Sequence, residues 1–334
     1  MNNAHATKVL IIGGMPLVEE EKNLLSKYAV VKVTKSTSEN DLVKEVSDAD
    51  ILMVVYAKIT KQIIDSARNL KGIVRYGIGV DNVDLKSATE RGIPVANVPD
   101  YSIKTVADHA FALLLSLNRK VVIADNAVKT GNWGAWTSPS TKLRGLDMEG
   151  KILGLIGVGK IGSAMAARAK GFGMIVIAYD PYLTENTAKT IGVELVSLDS
   201  VLRNSNFISI HAPLTPETRG MIGEQQLQMM KKTAYLVNTS RGQIINEMAL
   251  CKALEKGWIA GAGIDVYEKE PPDYDNRLFK FENVVLTPHI AYYTKEAIER
   301  LEMSAAKEAI RMLKGELPQN LVNKELLSQI KNGK

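Results

Sequence analysis

The stretch that most constrains this chain is Lys151 to Asp180, KILGLIGVGKIGSAMAARAKGFGMIVIAYD. An apolar run, Ile152 to Ile156, reads as a buried parallel strand that passes straight into Gly157, Gly159 and Gly162. Small apolar residues then recur at helical spacing from Lys160 to Lys170, and Met174 to Tyr179 reads as a second buried strand ending on Asp180. Strand, glycine turn, helix and strand make a complete βαβ unit, the fingerprint of a Rossmann dinucleotide site. Gly157 permits the tight turn, Gly159 lets the backbone approach a pyrophosphate, and Gly162 lets the helix lie close on the strand. Amide groups at the helix start then face the phosphates. Asp180 stands 18 residues past Gly162, where a carboxylate accepts ribose hydroxyls and repels a 2′-phosphate. Pro181 and Tyr182 after it offer no neutralising cation, so NAD is expected over NADP.

At 334 residues the chain exceeds the usual size of one core, and two domains are expected. The net charge of +5 is small beside 42 basic and 37 acidic side chains, with no basic stripe, so nucleic-acid binding is not implied. A single cysteine, Cys251, excludes a disulfide framework and falls on the apolar face of an expected helix as a buried thiol. No leader-like start and no uninterrupted apolar span appear, so the expectation is a soluble, cytoplasmic protein with no membrane partner. No metal is expected.

Along the chain, Lys8 to Ile12 reads as a strand ending at Gly13 and Gly14, followed by Met15 and Pro16 instead of a phosphate loop. Apolar runs at Ala29 to Val33, Ile51 to Tyr56, Gly72 to Tyr76 and Ile93 to Ala96 alternate with amphipathic segments at Ser38 to Val46 and Thr60 to Leu70. Such alternation predicts a parallel sheet covered on both faces. A long apolar helix is expected from Ile103 to Val128, crossing into the second domain. The loop Gly131 to Gly145 carries Trp133 and Trp136 among turn formers, suited either to packing on a neighbouring subunit or to an intramolecular lid or arm. Beyond Asp180, strands are expected at Val193 to Val196, Phe207 to Ile210, Ala234 to Val237, Ile259 to Val266 and Val284 to Leu286. An amphipathic helix from Lys295 to Leu313 closes the pattern.

Four loops at strand ends carry residues suited to hydride-transfer chemistry. In RYGIGVDNVD, Arg75 to Asp84, glycines around Ile78 leave amides available to a small anion, or the loop is a tight turn with Asp81 and Asn82 capping the next helix. In NTSRGQIIN, Arg241 follows a strand end, where a guanidinium lies in the ligand crevice or makes a structural salt bridge. GIDVYEKEPP offers Asp265 and Glu270, and LTPHIAYYT offers His289. Of the four histidines, His5 is in the N-terminal tail, His109 packs inside the crossing helix, and His211 follows a strand in HAPLTPET. A strand-end histidine with a carboxylate partner is the best general acid or base available.

GVGKIG with Asp180, HAPLTPETRGMI, NTSRGQIIN, GIDVYEKEPP and TPHIA stand in the order and spacing of the D-isomer-specific 2-hydroxyacid dehydrogenases. RYGIGVDNVD and NVPDYS match that family's first domain, so the chain resembles it from about Lys8 to the last helix. The resemblance implies an α/β fold of two doubly wound parallel-sheet domains, a Rossmann NAD-binding domain (103–289) inserted into a flavodoxin-like substrate domain (1–102 and 290–334). It also implies a homodimer built around the cofactor domains. Carried over residue by residue, the catalytic roles fall on Arg241, Glu270 and His289. Arg241 would clamp the carboxylate of a small 2-oxo acid, joined by the amides of Ile78 and Gly79. His289 would exchange a proton with the 2-oxo oxygen, Glu270 would hold it, and Asp265 would meet the nicotinamide. Further cofactor contacts fall on Lys160, Ile161, Ala212, Pro213, Thr218, Thr239 and Ala291.

Substrate signals in this resemblance conflict. The chain stops 45 residues after His289, which leaves no room for the regulatory domain of many phosphoglycerate dehydrogenases, and Tyr56 and Lys58 stand where phosphate-binding members carry an arginine. Arg75 keeps a phosphate substrate open. AYYT and Tyr101 of NVPDYS are similar to the D-lactate branch, whereas EKEPP and RYGIG are similar to glyoxylate or hydroxypyruvate reductases. A rival of another class is an NAD-sensing corepressor-like interaction protein.

Overall fold

The structure is a computed structural model that describes residues 7–13, 18–137 and 143–331. Gly14, Met15 and Pro16 after the first strand, His5, and residues 138–142 of the tryptophan loop lie outside the described residues. The chain divides into two compact units: Met1–Ser102 with Thr294–Lys334, and Ile103–Tyr293.

The first unit is built on β1 (Lys8–Ile12), β2 (Val30–Val33), β3 (Ile51–Val54), β4 (Gly72–Arg75) and β5 (Val95–Ala96), all parallel in the order β2-β1-β3-β4-β5. β1 and β3 are buried at every position, as expected when helices cover both faces of a parallel sheet. The Lys295–Leu313 helix returns to this unit and packs on β3 and β4 with Leu301, Ala305, Ala309 and Met312 buried. Its C-terminal extension closes the β5 edge: Val322 donates to the Val95 carbonyl (2.8 Å), and Asn323 Oδ1 accepts from the Val95 amide (2.8 Å).

The second unit holds β6 (Ile152–Ile156), β7 (Ile175–Tyr179), β8 (Glu194–Leu195), β9 (Phe207–Ile210), β10 (Tyr235–Asn238), β11 (Gly261–Ile264) and β12 (Val284–Leu286). They form one parallel sheet in the order β12-β11-β10-β9-β6-β7-β8. Strand order reverses between β6 and β9, which opens a crevice outside their carboxyl ends. The expected α/β class with two doubly wound parallel sheets is therefore the observed one.

Two local expectations are corrected. The single helix expected over Ile103 to Val128 is two helices, Ile103–Asn118 and Val121–Lys129. The break lies at Lys120 in a left-handed conformation (φ 59°), held by its ammonium donating to the Tyr235 hydroxyl at 2.7 Å. The helix after the RYGIG loop, Leu85–Glu90, is capped by Asp84, which accepts from the Ser87 amide at 2.9 Å. Asn82 is turned instead to the Ala57 carbonyl.

Candidate active site

The crevice between β6 and β9 is lined by the glycine loop. Gly157 sits at φ +90°, and a Cβ there would lie 2.7 Å from the Ala212 amide nitrogen after β9, so this turn admits only glycine. Gly162 lies against the Gly157 carbonyl in the same way, while Gly159, the N-cap of the Lys160–Gly171 helix, faces open space. Lys160 and Ile161 form the first turn of that helix, whose amides point toward the crevice. Asp180 at the end of β7 accepts from Val158 N (2.7 Å) and Tyr182 N (2.9 Å), which ties the glycine loop to the neighbouring strand end. After β9, Pro213 and Thr218 form a self-tied turn in which Thr218 Oγ1 donates to the Pro213 carbonyl at 2.7 Å. After β10, Thr239 Oγ1 is buried with no hydrogen-bond partner among the described residues. A bare glycine cradle, a helix N-terminus, a carboxylate at the second strand end and an orphaned buried hydroxyl fit a bound dinucleotide.

The ends of β10 and β11 and the loop after β12 bring together the charged residues. His289 Nδ1 and Glu270 Oε2 are 2.6 Å apart. Burial pushes the Glu270 carboxyl up, but the hydrogen bond and charge of His289, the Tyr267 amide (3.0 Å to Oε1) and the charge of Arg241 together hold it below its ordinary value. An ionised carboxylate only accepts, so the proton on this edge belongs to His289 Nδ1. Arg241 leaves the end of β10 on a turn that Asn238 fastens by donating to its carbonyl at 2.9 Å. The next residue, Gly242, lies so close to the Tyr267 carbonyl that a Cβ would sit 1.9 Å from its carbon. That approach sets the Arg241 turn against the segment carrying Glu270.

Asp265, at the end of β11, is fully buried and fastens the His289 loop. Its carbonyl accepts from His289 N (2.7 Å), Oδ1 from Ile290 N (2.9 Å) and Thr287 Oγ1 (2.5 Å), and Oδ2 from Ala291 N (2.9 Å). Both carboxylate oxygens are thus taken up by the loop, a role the strand-end position alone did not signal. His109 reaches the same network, with Nε2 3.0 Å from Thr287 Oγ1. Sequence reasoning placed it as packing within its helix. His211 is different again: burial pushes it down to about 4, and its Nε2 meets Ser209 Oγ at 2.9 Å, so it is neutral and takes no acid–base part.

In the other unit, the turn after β4 is fixed by Asn97 donating to the Ile78 carbonyl (2.7 Å) and by Val98 N donating to the Gly77 carbonyl (2.9 Å). Ile78 and Gly79 remain partly exposed in it. Arg75 does not extend from this turn: its guanidinium folds over Gly77 and donates to the Tyr76 carbonyl at 2.5 Å. Tyr101 is buried, and its carbonyl accepts from Arg300 Nε at 2.9 Å.

Residues 111–291 match the family model described as the NAD binding domain of D-isomer specific 2-hydroxyacid dehydrogenases. Over 291 residues the chain is 46% identical to a glyoxylate reductase from Korarchaeum cryptofilum, with 87% of each protein covered. The chain belongs to this family. The dehydrogenase is also 40% identical over 321 residues to a D-3-phosphoglycerate dehydrogenase from Methanocaldococcus jannaschii, covering 96% of this chain and 60% of that protein. A crystal structure of D-lactate dehydrogenase from Aquifex aeolicus, complexed with NAD and lactic acid, matches it with a TM-score of 0.83 at 31% identity, covering 97% of this chain and 98% of that one. The dehydrogenase is accordingly an NAD-dependent oxidoreductase of the CH–OH group, interconverting a small 2-oxo acid and its D-2-hydroxy acid. Among the described residues no helix is long and apolar enough to cross a membrane.

Proposed function

We propose that this dehydrogenase reduces glyoxylate or hydroxypyruvate, with His289 as the proton donor and Arg241 as the carboxylate clamp. The observation that carries the reading is the 2.6 Å contact between His289 Nδ1 and an ionised Glu270. Because Nδ1 is committed to that carboxylate, the proton for the 2-oxo oxygen leaves from Nε2, and in the oxidative direction Nε2 takes it back. Bound NADH supplies the hydride for the 2-oxo carbon. Glu270 stabilises the charged ring before transfer and keeps its plane fixed. Arg241 has the planar two-pronged geometry that a carboxylate accepts. The amides of Ile78 and Gly79, two partly exposed residues, are a second donor pair suited to an anion. Asp180 accepts the ribose hydroxyls and sets the preference for NAD. The 46% identical glyoxylate reductase supports this substrate class.

Phosphorylated substrate is the second reading, supported by the phosphoglycerate dehydrogenase relative. The inward fold of Arg75 over Gly77 weighs against it, since a phosphate there must first displace the Tyr76 carbonyl. The enzyme is proposed to work in the cytoplasm as a homodimer. No residue of the Val121–Lys129 helix is buried, and Val121, Val122 and Val128 are each about half exposed beside Trp133 at 75%. An apolar face of this kind fits a second copy of the chain.

The deciding experiment is NADH oxidation by the purified protein with glyoxylate, hydroxypyruvate, pyruvate, 2-oxobutyrate, phenylpyruvate and 3-phosphohydroxypyruvate. Highest kcat/KM on glyoxylate or hydroxypyruvate is expected. A tenfold advantage for the phosphorylated or the lactate-type substrate overturns the assignment.

A further inference from the structure

We propose that His109 is a positioning residue for the reaction, holding the acid–base histidine in place through Thr287 and Asp265. The inference rests on the reading of His289 as proton donor, and it begins with the backbone of His289 itself. That residue sits at φ +56°, a left-handed conformation that is unfavourable for a side-chain-bearing residue and persists only where the surroundings over-determine it. Asp265 supplies the determination, since three successive amides, His289, Ile290 and Ala291, all donate to it.

A fully buried carboxylate holds such a loop only while its own donors are fixed. Thr287 Oγ1 has one proton, and at 2.5 Å from Asp265 Oδ1 it gives that proton to the carboxylate. The hydroxyl therefore meets His109 Nε2, 3.0 Å away, as an acceptor, and His109 is the donor. Donation then converges on Asp265: His109 Nε2–H donates to Thr287, Thr287 to Asp265, and the amides of His289, Ile290 and Ala291 to Asp265 from the other side. His109 Nε2 is also 3.7 Å from Asp265 Oδ1, so any positive charge on the ring falls beside that carboxylate. Tyr267 feels the charges of Asp265, Glu270 and Glu247, Glu270 feels those of His289 and Arg241, and Asp108 on the same helix as His109 is paired with Arg168. A residue 178 positions upstream of Thr287 thereby orients the reacting imidazole without touching substrate.

The test compares His109→Ala, His109→Gln and Thr287→Val, with His289→Ala alongside. The glutamine keeps an N–H donor in reach of Thr287; the alanine does not. His109→Ala is expected to lower kcat about 10-fold with KM for NADH within twofold, and to move the alkaline limb of the kcat–pH profile for reduction to lower pH as His289 loses its grip on Glu270. Glutamine is expected to restore most of kcat and the limb. His109→Ala added to Thr287→Val should cost no more than Thr287→Val alone, since both break one chain of donors. Wild-type kcat and pH profile in His109→Ala overturn the inference. So does equal loss in both His109 variants with the profile of the residual turnover unmoved, which marks a merely structural residue. Unchanged turnover in His289→Ala overturns the functional reading itself, a result distinct from either.

Discussion

Two glutamates in this protein meet opposite fates. Glu270 and Glu21 are both withdrawn from water, Glu270 with about a third of its side chain exposed and Glu21 completely buried, and burial pushes both carboxyls up. Glu270 nevertheless ends below its ordinary value and Glu21 is raised to about 8. The difference lies in the partners. Glu270 faces His289 and the charge of Arg241, groups that carry or can carry a positive charge. Glu21 accepts from the Tyr76 hydroxyl at 2.6 Å, a neutral donor, and lies near Glu302, a carboxylate of the same sign that is itself raised by burial. Depth sets the cost of a charge, and the partner decides whether that cost is met. One carboxylate is thereby kept ionised beside a histidine, while the other is kept neutral at the foot of the RYGIG turn.

The comparison breaks first at His289. If Glu270 is ionised in order to support a proton donor, His289→Ala should lower kcat by about 1,000-fold, within the usual range for removing a general acid, while the dissociation constant for NADH stays near wild type. Stopped-flow turnover with tryptophan fluorescence for NADH binding measures both. A loss of less than tenfold would leave the pair without a catalytic purpose.

Next in size is the effect of Glu21. Its folded value of about 8 lies above the ordinary 4.5, so the folded chain keeps a proton that the unfolded chain releases between those two pH values. Stability attributable to this group is therefore fully present below about pH 4.5, falls as pH rises, and stops falling near pH 8. The gap corresponds to roughly 3–5 kcal/mol. Glu21→Gln keeps the acceptor for Tyr76 and cannot ionise, so its urea-unfolding free energy should exceed that of wild type at pH 9 and match it at pH 4. Parallel stability curves for the two proteins across this range would mean that Glu21 is charged in the fold.

Glu270→Gln sharpens the same contrast from the other side. The amide keeps the geometry at Nδ1 but removes the charge, and turnover should fall about 30-fold, with the alkaline limb of kcat for reduction moving to lower pH. A change in kcat with no movement of the limb would assign Glu270 to orientation alone.

How far these features were legible in the sequence depends on distance along the chain. The glycine loop, Asp180 and the alternation of strands and helices are local patterns, and both sheets follow from them. Arg241 and His289 stood out because each closely follows a strand end, Glu270 because it precedes two prolines and matches the family motif, and the structure brings Glu270 and His289 into contact. The helix break at Lys120 was hidden, because apolar periodicity runs on through Val121 and no glycine or proline marks Asn118 to Lys120. Nothing near His109 announced Thr287, nor anything near Glu21 its bond to Tyr76. Such pairs are decided by packing between distant segments, and a single sequence carries no periodicity for them.

Asp180 is a third carboxylate and extends the comparison to the cofactor. It is partly exposed, and among the described residues no cation pairs with it; its oxygens accept from the amides of Val158 and Tyr182 instead. Backbone dipoles thus hold it in place without cancelling its charge, which is the arrangement needed to accept hydroxyls and repel a phosphate. Asp180→Ala should weaken NADH, because the glycine loop loses its tie at Val158, and should spare NADPH that repulsion, so that the ratio of kcat/KM for NADH to NADPH falls about tenfold. Asp180→Asn separates the two effects: its amide oxygen can keep the Val158 bond while the charge is gone. If the asparagine variant shifts the ratio as far as alanine does but keeps the NADH affinity of wild type, charge alone sets the preference. An unaltered ratio in both variants would place cofactor selection elsewhere in the crevice, and Asp180 would then be a strut for the glycine loop.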